Sequence, residues 1–492
     1  MKVLGTTDAS TLTITQVRPR FHVANGLMLI DNLTIRSGQI GSVLASPAEL
    51  DGAMSPLSSS VGTLEFGVLG PGAQIDVNGS VGAMDVGSIN LGPGGHVVIT
   101  DDLNGAFQSL GQSSTTTGMT IASMNLDGGQ FVIGGDSLEP ISIAGDLSLS
   151  HNGLFAIGRD QTGSLSVGGS VILDSGGQLS VGRNLAALTV GGNVQIDPGA
   201  SGIVVGGELT QMTVNGFLRG QGSATAIDLG VGLNLDGLTV LGGGANQGGI
   251  QSANINVGKN ISGLDVLHGI FRSWITAGVS INSMNNVGAD GVTGIYNSEI
   301  DAGTSITNVT VGGDVTSGFP TGDTSGYPTR IIAGKIRSAA IGSTPDQGVY
   351  LPNGSISNLM INGALIDAVL AASVAPFGGD GSLPPPSAYG AAPRNPGTPP
   401  GVFTNYQAPA GLTDNTTPNY SIRNVTNGVP TGPAAWAQPV GSRHDTVLSN
   451  GSITATITGG VISTQTDQTA NTYDYAGLFA VNTIGVTLPQ NG

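Results

Sequence analysis

The amino-acid sequence predicts an all-β fold, a parallel β-helix (β-solenoid) with about 24 residues per coil. Glycine accounts for 82 of the 492 residues, whereas charged residues make up 10% and aromatic residues 4%. The remaining polar positions are filled mainly by Thr, Ser, Asn and Gly, which favour strands and turns over helices. A motif that recurs at a regular interval, and a two-residue alternation inside that motif, then identify the kind of β fold.

The recurring motif has the form Ile/Leu-x-x-Leu/Met/Val-x-Val/Ile-x-Gly. Successive copies lie about 20 to 26 residues apart, which is an interval typical of solenoid repeats. Because such a repeat buries its apolar residues only against its neighbours, the copies predict stacked coils. The clearest copies are Leu185-Leu188-Val190-Gly192, Leu209-Met212-Val214-Gly216, Leu235-Leu238-Val240-Gly242 and Ile306-Val309-Val311-Gly313. Copies that deviate slightly include Leu138-Ile141-Ile143-Gly145, Ile336-Ala339-Ile341 and Ile356-Leu359-Ile361-Gly363.

Each copy contains a strand with one buried face. In Leu188-Thr189-Val190 and Val309-Thr310-Val311 apolar and polar residues alternate, so the apolar side chains point inward and the threonines outward. The first two apolar residues of the motif are three positions apart, which predicts a corner just before the strand. Between successive copies, turns that contain glycine separate further short apolar segments. Each coil is therefore expected to hold about three short strands around an aliphatic core. The handedness of the solenoid does not follow from this pattern.

The same pattern divides the chain into five segments. Residues 1–29 are expected to form an N-terminal strand or cap, and residues 30–363 form the β-solenoid repeats. Residues 364–375, which begin Ala-Leu-Ile-Asp-Ala-Val-Leu-Ala-Ala, predict a helix that caps the last coil. Residues 376–446 are rich in proline but interspersed with aromatic residues, so a flexible linker and a docked irregular segment both remain open.

Residues 447–492 predict a C-terminal β tail. Its strands contain too few apolar residues for a separate core, so they should be stable only when added to an existing sheet edge or solenoid end. We expect the tail to pair with a neighbouring copy of the chain and so to propagate a filament. The alternative is that it folds back onto its own rod.

The charge balance restricts the partners that the chain can bind. The net charge is −17 and the sequence pI is about 4.3, which disfavours nucleic acid and anionic membranes. No apolar run is long enough for a membrane-spanning helix. There are no cysteines, and the first residues do not resemble a classical signal peptide, which leaves the export route open. No cofactor is predicted, and calcium remains an alternative.

The sequence predicts no catalytic, cofactor-binding or metal-binding residues, and hence no enzyme. Polysaccharide-degrading β-helices need paired carboxylates with basic residues nearby. Here the only Asp-Asp pair is Asp101-Asp102, and His96 is followed by valines rather than by glycine. Neither Arg330 nor Lys335 belongs to a basic motif of that kind. The five histidines, His22, His96, His151, His268 and His444, lack the spacing of zinc ligands.

The repeats at residues 188–194 (Leu-Thr-Val-Gly-Gly-Asn-Val) and 309–315 (Val-Thr-Val-Gly-Gly-Asp-Val) resemble the glycine-rich parallel β-solenoid repeats of bacterial cell-surface proteins, including adhesin-like and structural ones. The resemblance covers roughly residues 30–363. It implies an extracellular or cell-surface structural protein, a self-assembling subunit of a filament or surface layer. Copies of the chain itself would be the main partner, and cell-surface polysaccharide another. The alternatives are a solitary adhesin and a polysaccharide-binding or -degrading β-helix such as a tailspike or lyase.

Overall fold

The computed structural model confirms an all-β parallel β-solenoid and contains no helix in the part of the chain that it describes. The chain divides into a first compact unit, Met1–Gln221 with Asp228–Leu233, and a second unit, Gly222–Ile227 with Asn234–Gly492. The residues described are 2–3, 10–14, 27–35, 40–103, 118–223, 226–243, 249–289, 294–317, 329–337, 348–350, 354–366, 368–372, 374–375, 421–426, 429–434, 438–439, 452–459, 461–462, 477–480 and 483–487.

The first unit stacks its strands in three parallel sheets, because each coil turns three corners before it returns to the same face. In sheet 1, Leu165 pairs with Leu188 and Leu188 with Met212, so that neighbouring coils are 23 and 24 residues apart. The sheet 1 strands are Thr11–Thr13, Ser42–Leu50, Val61–Leu69, Val81–Leu91, Gly118–Asp127, Ile141–Ile143, Gln161–Val167, Leu185–Val190 and Leu209–Val214. The four longest, Ser42–Leu50 to Gly118–Asp127, continue round the corner into sheet 2.

The rest of sheet 2 consists of Met28–Ile30, Leu147–Ser150, Val171–Leu173, Val194–Ile196 and Leu218–Arg219. Sheet 3 consists of Gln74–Val77, His96–Ile99, Gln130–Ile133, Leu154–Ile157, Gln178–Val181, Gly202–Val205 and Leu229–Val231. A separate two-stranded sheet pairs Lys2–Val3 with Thr34–Ile35.

The second unit also builds three parallel sheets. Its sheet 1 contains Leu238–Val240, Asn260–Ile261, Leu264–Val266, Ser280–Ile281, Met284–Val287, Ser305–Val311, Ser355–Ile361, Ser452–Ile457 and Thr483–Thr487. Its sheet 2 contains Ile250–Gln251, Ile270–Phe271, Ile295–Tyr296, Val315–Thr316, Leu365–Ile366 and Val461–Ile462. Its sheet 3 contains Asn254–Val257, Trp274–Ala277, Glu299–Ala302, Arg330–Ala333, Val369–Ala372 and Gly477–Ala480.

Antiparallel strands accompany the second unit. Lys335–Arg337 pairs with Gly348–Tyr350, Val374–Ala375 with Gln438–Pro439, and Ser421–Thr426 with both Val429–Ala434 and Gly477–Ala480. The predicted repeat copy at Ile336-Ala339-Ile341 is therefore wrong as a coil. Val309 pairs directly with Leu359, and Ile336 belongs to a hairpin inserted between those two coils.

Aliphatic columns fill the interior of both units. The register stacks Leu165, Leu188 and Met212 in one column, and all three are fully buried. Val311 is likewise fully buried, whereas Thr310 is half-buried and faces outward. The period-two interpretation of these strands is thus confirmed. By area alone, the burial of one such Leu or Val side chain is worth about 1.5 to 3 kcal/mol.

Two expectations for the C-terminal part are corrected. The helix predicted over residues 364–375 is absent, because Leu365–Ile366 and Val369–Ala372 are strands that pair with Val315–Thr316 and Arg330–Ala333. The expected pairing of the tail with a neighbouring copy does not apply to Ser452–Ile457, because that strand pairs in parallel with Ser355–Ile361 of the same chain. Most of residues 376–446 and much of residues 1–29 lie outside the described residues.

Candidate functional surfaces

The outward positions of sheet 1 in the first unit carry a ladder of hydroxyl groups. Pairing of adjacent coils stacks one Ser or Thr from each coil in a single column, about 4.8 Å apart. The column consists of Thr120, Ser142, Ser166, Thr189 and Thr213. These side chains are half-buried or exposed. This column, from Thr120 to Thr213, is therefore polar and uncharged.

A second ladder holds the corner that follows sheet 3 of the first unit. The side-chain Oδ1 of Asp102 accepts a hydrogen bond from the backbone N–H of Asp136 at 2.8 Å, and Asp136 Oδ1 accepts one from Asp160 N–H at 2.9 Å. Asp160 and Asn184 repeat the contact, at 3.0 and 2.9 Å, to the backbone N–H groups of Asn184 and Glu208. The Asp101-Asp102 pair was considered above as a possible carboxylate pair of a hydrolase. In the structure, Asp102 instead stabilises the stacking of the coils.

Two arginines form ion pairs with two carboxylates of this corner ladder, Asp136 and Asp160. Arg183 Nη2 lies 2.7 Å from Asp160 Oδ2 and 3.3 Å from Asp136 Oδ1, and Arg159 Nη1 lies 3.8 Å from Asp136 Oδ2. The pKa of Asp136 is lowered from its ordinary value, first by the hydrogen bond from the Asp160 backbone and, after partial compensation by burial, by Arg183 and Arg159. The arrangement keeps this carboxylate ionised as a hydrogen-bond acceptor.

A carboxylate pair occupies the outward positions of two neighbouring coils in the first unit. Glu65 and Asp85 are register partners on adjacent strands of sheet 1. Burial and then repulsion from Glu65 raise the pKa of the Asp85 carboxyl above its ordinary value. The register places an uncharged residue, Thr120, on the next coil. This pair is a destabilising like-charge contact, and among the described residues no basic side chain forms an ion pair with it.

The two described histidines of the first unit, His96 and His151, each pair with a carboxylate and form no catalytic triad with the described residues around them. His96 Nε2 lies 3.3 Å from Asp76 Oδ1. His151 Nδ1 and Ser150 Oγ both contact the same oxygen, Asp127 Oδ1, so the serine hydroxyl has the carboxylate, and not the imidazole, as its partner. Hydrogen bonds from His151 and then Ser150 lower the pKa of Asp127. His268 has interactions of its own, and His22 and His444 lie outside the described residues.

The second unit contains a covered cluster that the sequence analysis missed. Trp274, Glu299 and Arg330 are register partners at outward positions of sheet 3, yet each is less than 7% exposed. Arg330 Nη1 lies 3.9 Å from Glu299 Oε2. Beside them the rings of Phe271 and Tyr296 are 4.7 Å apart. The sequence does show large or charged residues in place of Ser and Thr at these outward positions. Only the strand register, however, shows that the three residues are neighbours.

An open groove of about 350 Å³ lies on sheet 1 of the second unit. Its polar lining consists of asparagines and threonines, and the exposed side chain of Met360 (41% exposed) adds an apolar patch. Asn358 Nδ2 donates a hydrogen bond of 3.0 Å to Asn308 Oδ1, and Asn308 Nδ2 donates one of 3.2 Å to the backbone oxygen of Asn282. The lining residues are Asn285, Asn308, Thr310, Asn358, Leu359, Met360 and Thr456.

Comparison with known proteins gives one result. No protein-family model, curated protein or solved structure matches this chain. The assignment to a parallel β-solenoid therefore rests on the strand pairing described above.

The remaining chemistry of the described residues is sparse. Over the described ranges, no three His, Asp or Glu side chains come close enough together to hold a metal ion. Within the same ranges, no helix is long and apolar enough to cross a membrane. Arg330, considered for a basic motif, is buried against Glu299, and Lys335 lies in the inserted hairpin strand Lys335–Arg337.

Proposed function

We propose that this protein is an extracellular structural protein, a subunit that associates with copies of itself to form a filament or a surface layer. The observation that carries the proposal is the use of the polar side chains. Asp102, Asp136, Asp160 and Asn184 form coil-to-coil hydrogen bonds. Carboxylate and amide side chains, which are catalytic groups in many enzymes, are therefore used here to stabilise the stacking of the coils.

The edge of the strand Thr11–Thr13 supports assembly through coil ends. Ile14 N–H donates to the backbone oxygen of Leu44, and Ser10 O accepts from Gly41 N–H, both at 2.7 Å. Backbone groups alternate between the two edges of a strand. Those of Ser10, Leu12 and Ile14 therefore face Ser42–Leu50, and those of Thr11 and Thr13 face the opposite edge. Among the described residues no strand pairs with that opposite edge.

The strand Thr483–Thr487 offers a complementary edge. Within the described part of the chain it pairs only with Ser452–Ile457, in parallel. Neither Thr11–Thr13 nor Thr483–Thr487 contains Lys, Glu or Pro, the residues by which natural edge strands avoid pairing. A parallel contact between these two edges of different copies is heterologous, and a heterologous contact that does not close generates a filament.

The extracellular location rests on a different observation. The Val-Gly-Gly-Asn/Asp-Val style of the repeat resembles that of bacterial surface proteins with glycine-rich solenoids. Small uncharged outward side chains such as those of the column from Thr120 to Thr213 suit lateral packing of solenoids into a layer. A solitary adhesin would share the fold and the location but would remain monomeric.

A proline substitution at the free edge tests the assembly. Thr13→Pro removes an N–H that faces the open edge and spares the pairing with Ser42–Leu50, because proline is tolerated at sheet edges. Thr13→Val is the matched control, since it keeps the N–H and a β-branched side chain. In negative-stain electron microscopy we expect long fibres or sheets for the wild type and Thr13→Val, and short single rods for Thr13→Pro. Single rods for all three proteins would favour the adhesin and refute the proposal.

A further inference from the structure

We infer that the groove on sheet 1 of the second unit binds a neutral polysaccharide, in an orientation that crosses successive coils. The lining combines amide and hydroxyl side chains with two apolar residues, the buried Leu359 and the exposed Met360, and includes no charged residue. Amide groups both donate and accept hydrogen bonds, as sugar hydroxyls do. The site is distinct from the coil ends on which the proposed assembly depends.

The side chains of the groove are held in place before any ligand arrives. The chain of hydrogen bonds from Asn358 Nδ2 to Asn308 Oδ1, and from Asn308 Nδ2 to Asn282 O, fixes the orientation of both amides. Thr307 Oγ1 donates a further bond of 3.0 Å to the same Asn282 oxygen. Fixed side chains lose little conformational entropy when they bind a ligand, which favours affinity even at an exposed surface.

The backbone repeats the same feature on consecutive coils. Asn308 and Asn358 both adopt the left-handed conformation, with φ of 54° and 53°. Asparagine tolerates this region better than other non-glycine residues. Equal backbone geometry presents the two amides in the same way, about 4.8 Å apart along the stacking direction. A ligand whose own units repeat along a line can contact both in the same manner.

The direction and the chemical class of the ligand follow from the register. Thr310, Met360 and Thr456 are partners on three successive coils, and Asn285 extends the lining onto a fourth strand, so the groove runs for about 14 Å across the coils. The exposed Met360 side chain offers an apolar contact for the C–H face of a sugar ring. The net charge of −17 repels anionic polymers. A neutral polysaccharide fits all three properties.

Two glycine substitutions test this site without strain. Asn308→Gly with Asn358→Gly removes both amides, and glycine accepts the left-handed backbone at either position. Asn152→Gly is the matched control, because Asn152 has φ of 65° in an exposed turn of the first unit. The probes are soluble neutral polysaccharides (a mixed-linkage β-glucan, glucomannan, mannan and dextran), with polygalacturonate as the anionic comparison, in native affinity electrophoresis.

We expect at least one neutral polysaccharide to retard the wild type and Asn152→Gly, and polygalacturonate to retard neither. The double variant should bind at least 10-fold more weakly while its circular dichroism spectrum and its fibres remain those of the wild type. No retardation by any neutral polysaccharide, equal retardation of the double variant, or retardation by polygalacturonate alone would overturn the inference. Absence of fibres from the wild type with unchanged retardation would refute the assembly and leave this inference intact, so the two proposals fail separately.

Discussion

Glu65 and Asp85 illustrate how the β-solenoid converts single residues into neighbouring pairs. Side chains at equivalent positions of adjacent coils are held about 4.8 Å apart, so two carboxylates at that position repel each other. The folded state raises the pKa of Asp85 above the ordinary value of 3.8, through burial and then through Glu65. A carboxyl whose pKa is raised by folding destabilises the fold once it is ionised.

Asp85→Asn should therefore stabilise the protein near neutral pH. The gain should be complete above the raised folded pKa, shrink as the pH falls through that value, and vanish below the unfolded pKa of about 3.9. We expect the midpoint of thermal unfolding at pH 7 to rise by about 1 to 3 °C. Asp265→Asn is the matched control, because Asp265 has uncharged register partners, Thr239 and Asn285. A gain that persists at pH 3, or an equal gain for Asp265→Asn, would contradict this account.

Ser137 and Gln161 show the limit of prediction at the residue scale. The sequence predicts an apolar inner column, and the exposed Leu138 (46% exposed) was assigned to it, but Ser137 is the buried residue. Gln161 pairs with Ser137 on one side and with Leu185 on the other. Its Nε2 donates to the backbone oxygens of Glu139 and Gly163, at 3.1 and 3.0 Å. A one-residue shift at a corner exchanges inside and outside, and no local pattern reveals it.

At the scale of the strands and turns, the glycines are required mainly by the spacing of the coils. A Cβ atom added to Gly158, Gly182 or Gly206 would overlap the carbonyl oxygen of the equivalent glycine on the preceding coil. None of these three has a positive φ. From the sequence, glycine is expected where a turn needs a left-handed backbone and where neighbouring coils approach closely. In this column the close approach of the coils is what requires glycine.

Gly182→Ala should accordingly destabilise the first unit by about 2 to 3 kcal/mol, the usual effect of overpacking. Gly92→Ala is the control, since its Cβ would meet Pro71 Cβ at 3.3 Å, a contact that small adjustments relieve. Urea unfolding of the two variants measures the difference. If both variants unfold at the same urea concentration, close coil contact is not what requires glycine in this column.

The prediction of strands succeeded where the signal is local and failed where the partner is distant in sequence. Leu185–Val190 and Ser305–Val311 alternate clearly and were recognised. Residues 364–372 have the composition of a helix, but pairing of Leu365 with Val315 and of Val369 with Arg330 makes them strands. Tertiary pairing overrides intrinsic propensity here. The insertions that separate these partners hide the pairing from a search for a fixed interval.

At the scale of the molecule, the C-terminal tail acts as part of the solenoid. Ser452–Ile457 continues the sheet begun by Ser355–Ile361, and Val461–Ile462 continues the neighbouring sheet. In a stacked array each coil is stabilised by its neighbours. The tail therefore contributes to the folding of its own chain, and a contact with a neighbouring copy is proposed only at the edge of Thr483–Thr487 that no described strand occupies.

Deletion of residues 447–492 should lower the stability of the second unit and promote aggregation. The deletion exposes the edge of Ser355–Ile361 and the buried side chains that contact Ile453 and Ile457, and exposed edges pair with other chains. Chemical denaturation and size-exclusion chromatography measure both effects, with the exposed substitution Thr454→Ala as a control of unchanged behaviour. A truncated chain that is monomeric and as stable as the full chain would contradict the structural role of the tail.

The pairing of Val309 with Leu359 has a consequence for engineering. These partners are 50 positions apart instead of the usual interval of about 24, yet six residue pairs between Ser305–Ser355 and Val311–Ile361 keep the same register. The entropy of closing a loop grows only with the logarithm of its length, about 0.6 kcal/mol for each doubling. The connection between these two coils is thus a permissive site for foreign sequence, where a peptide or a small domain could be displayed at a defined coil of the second unit.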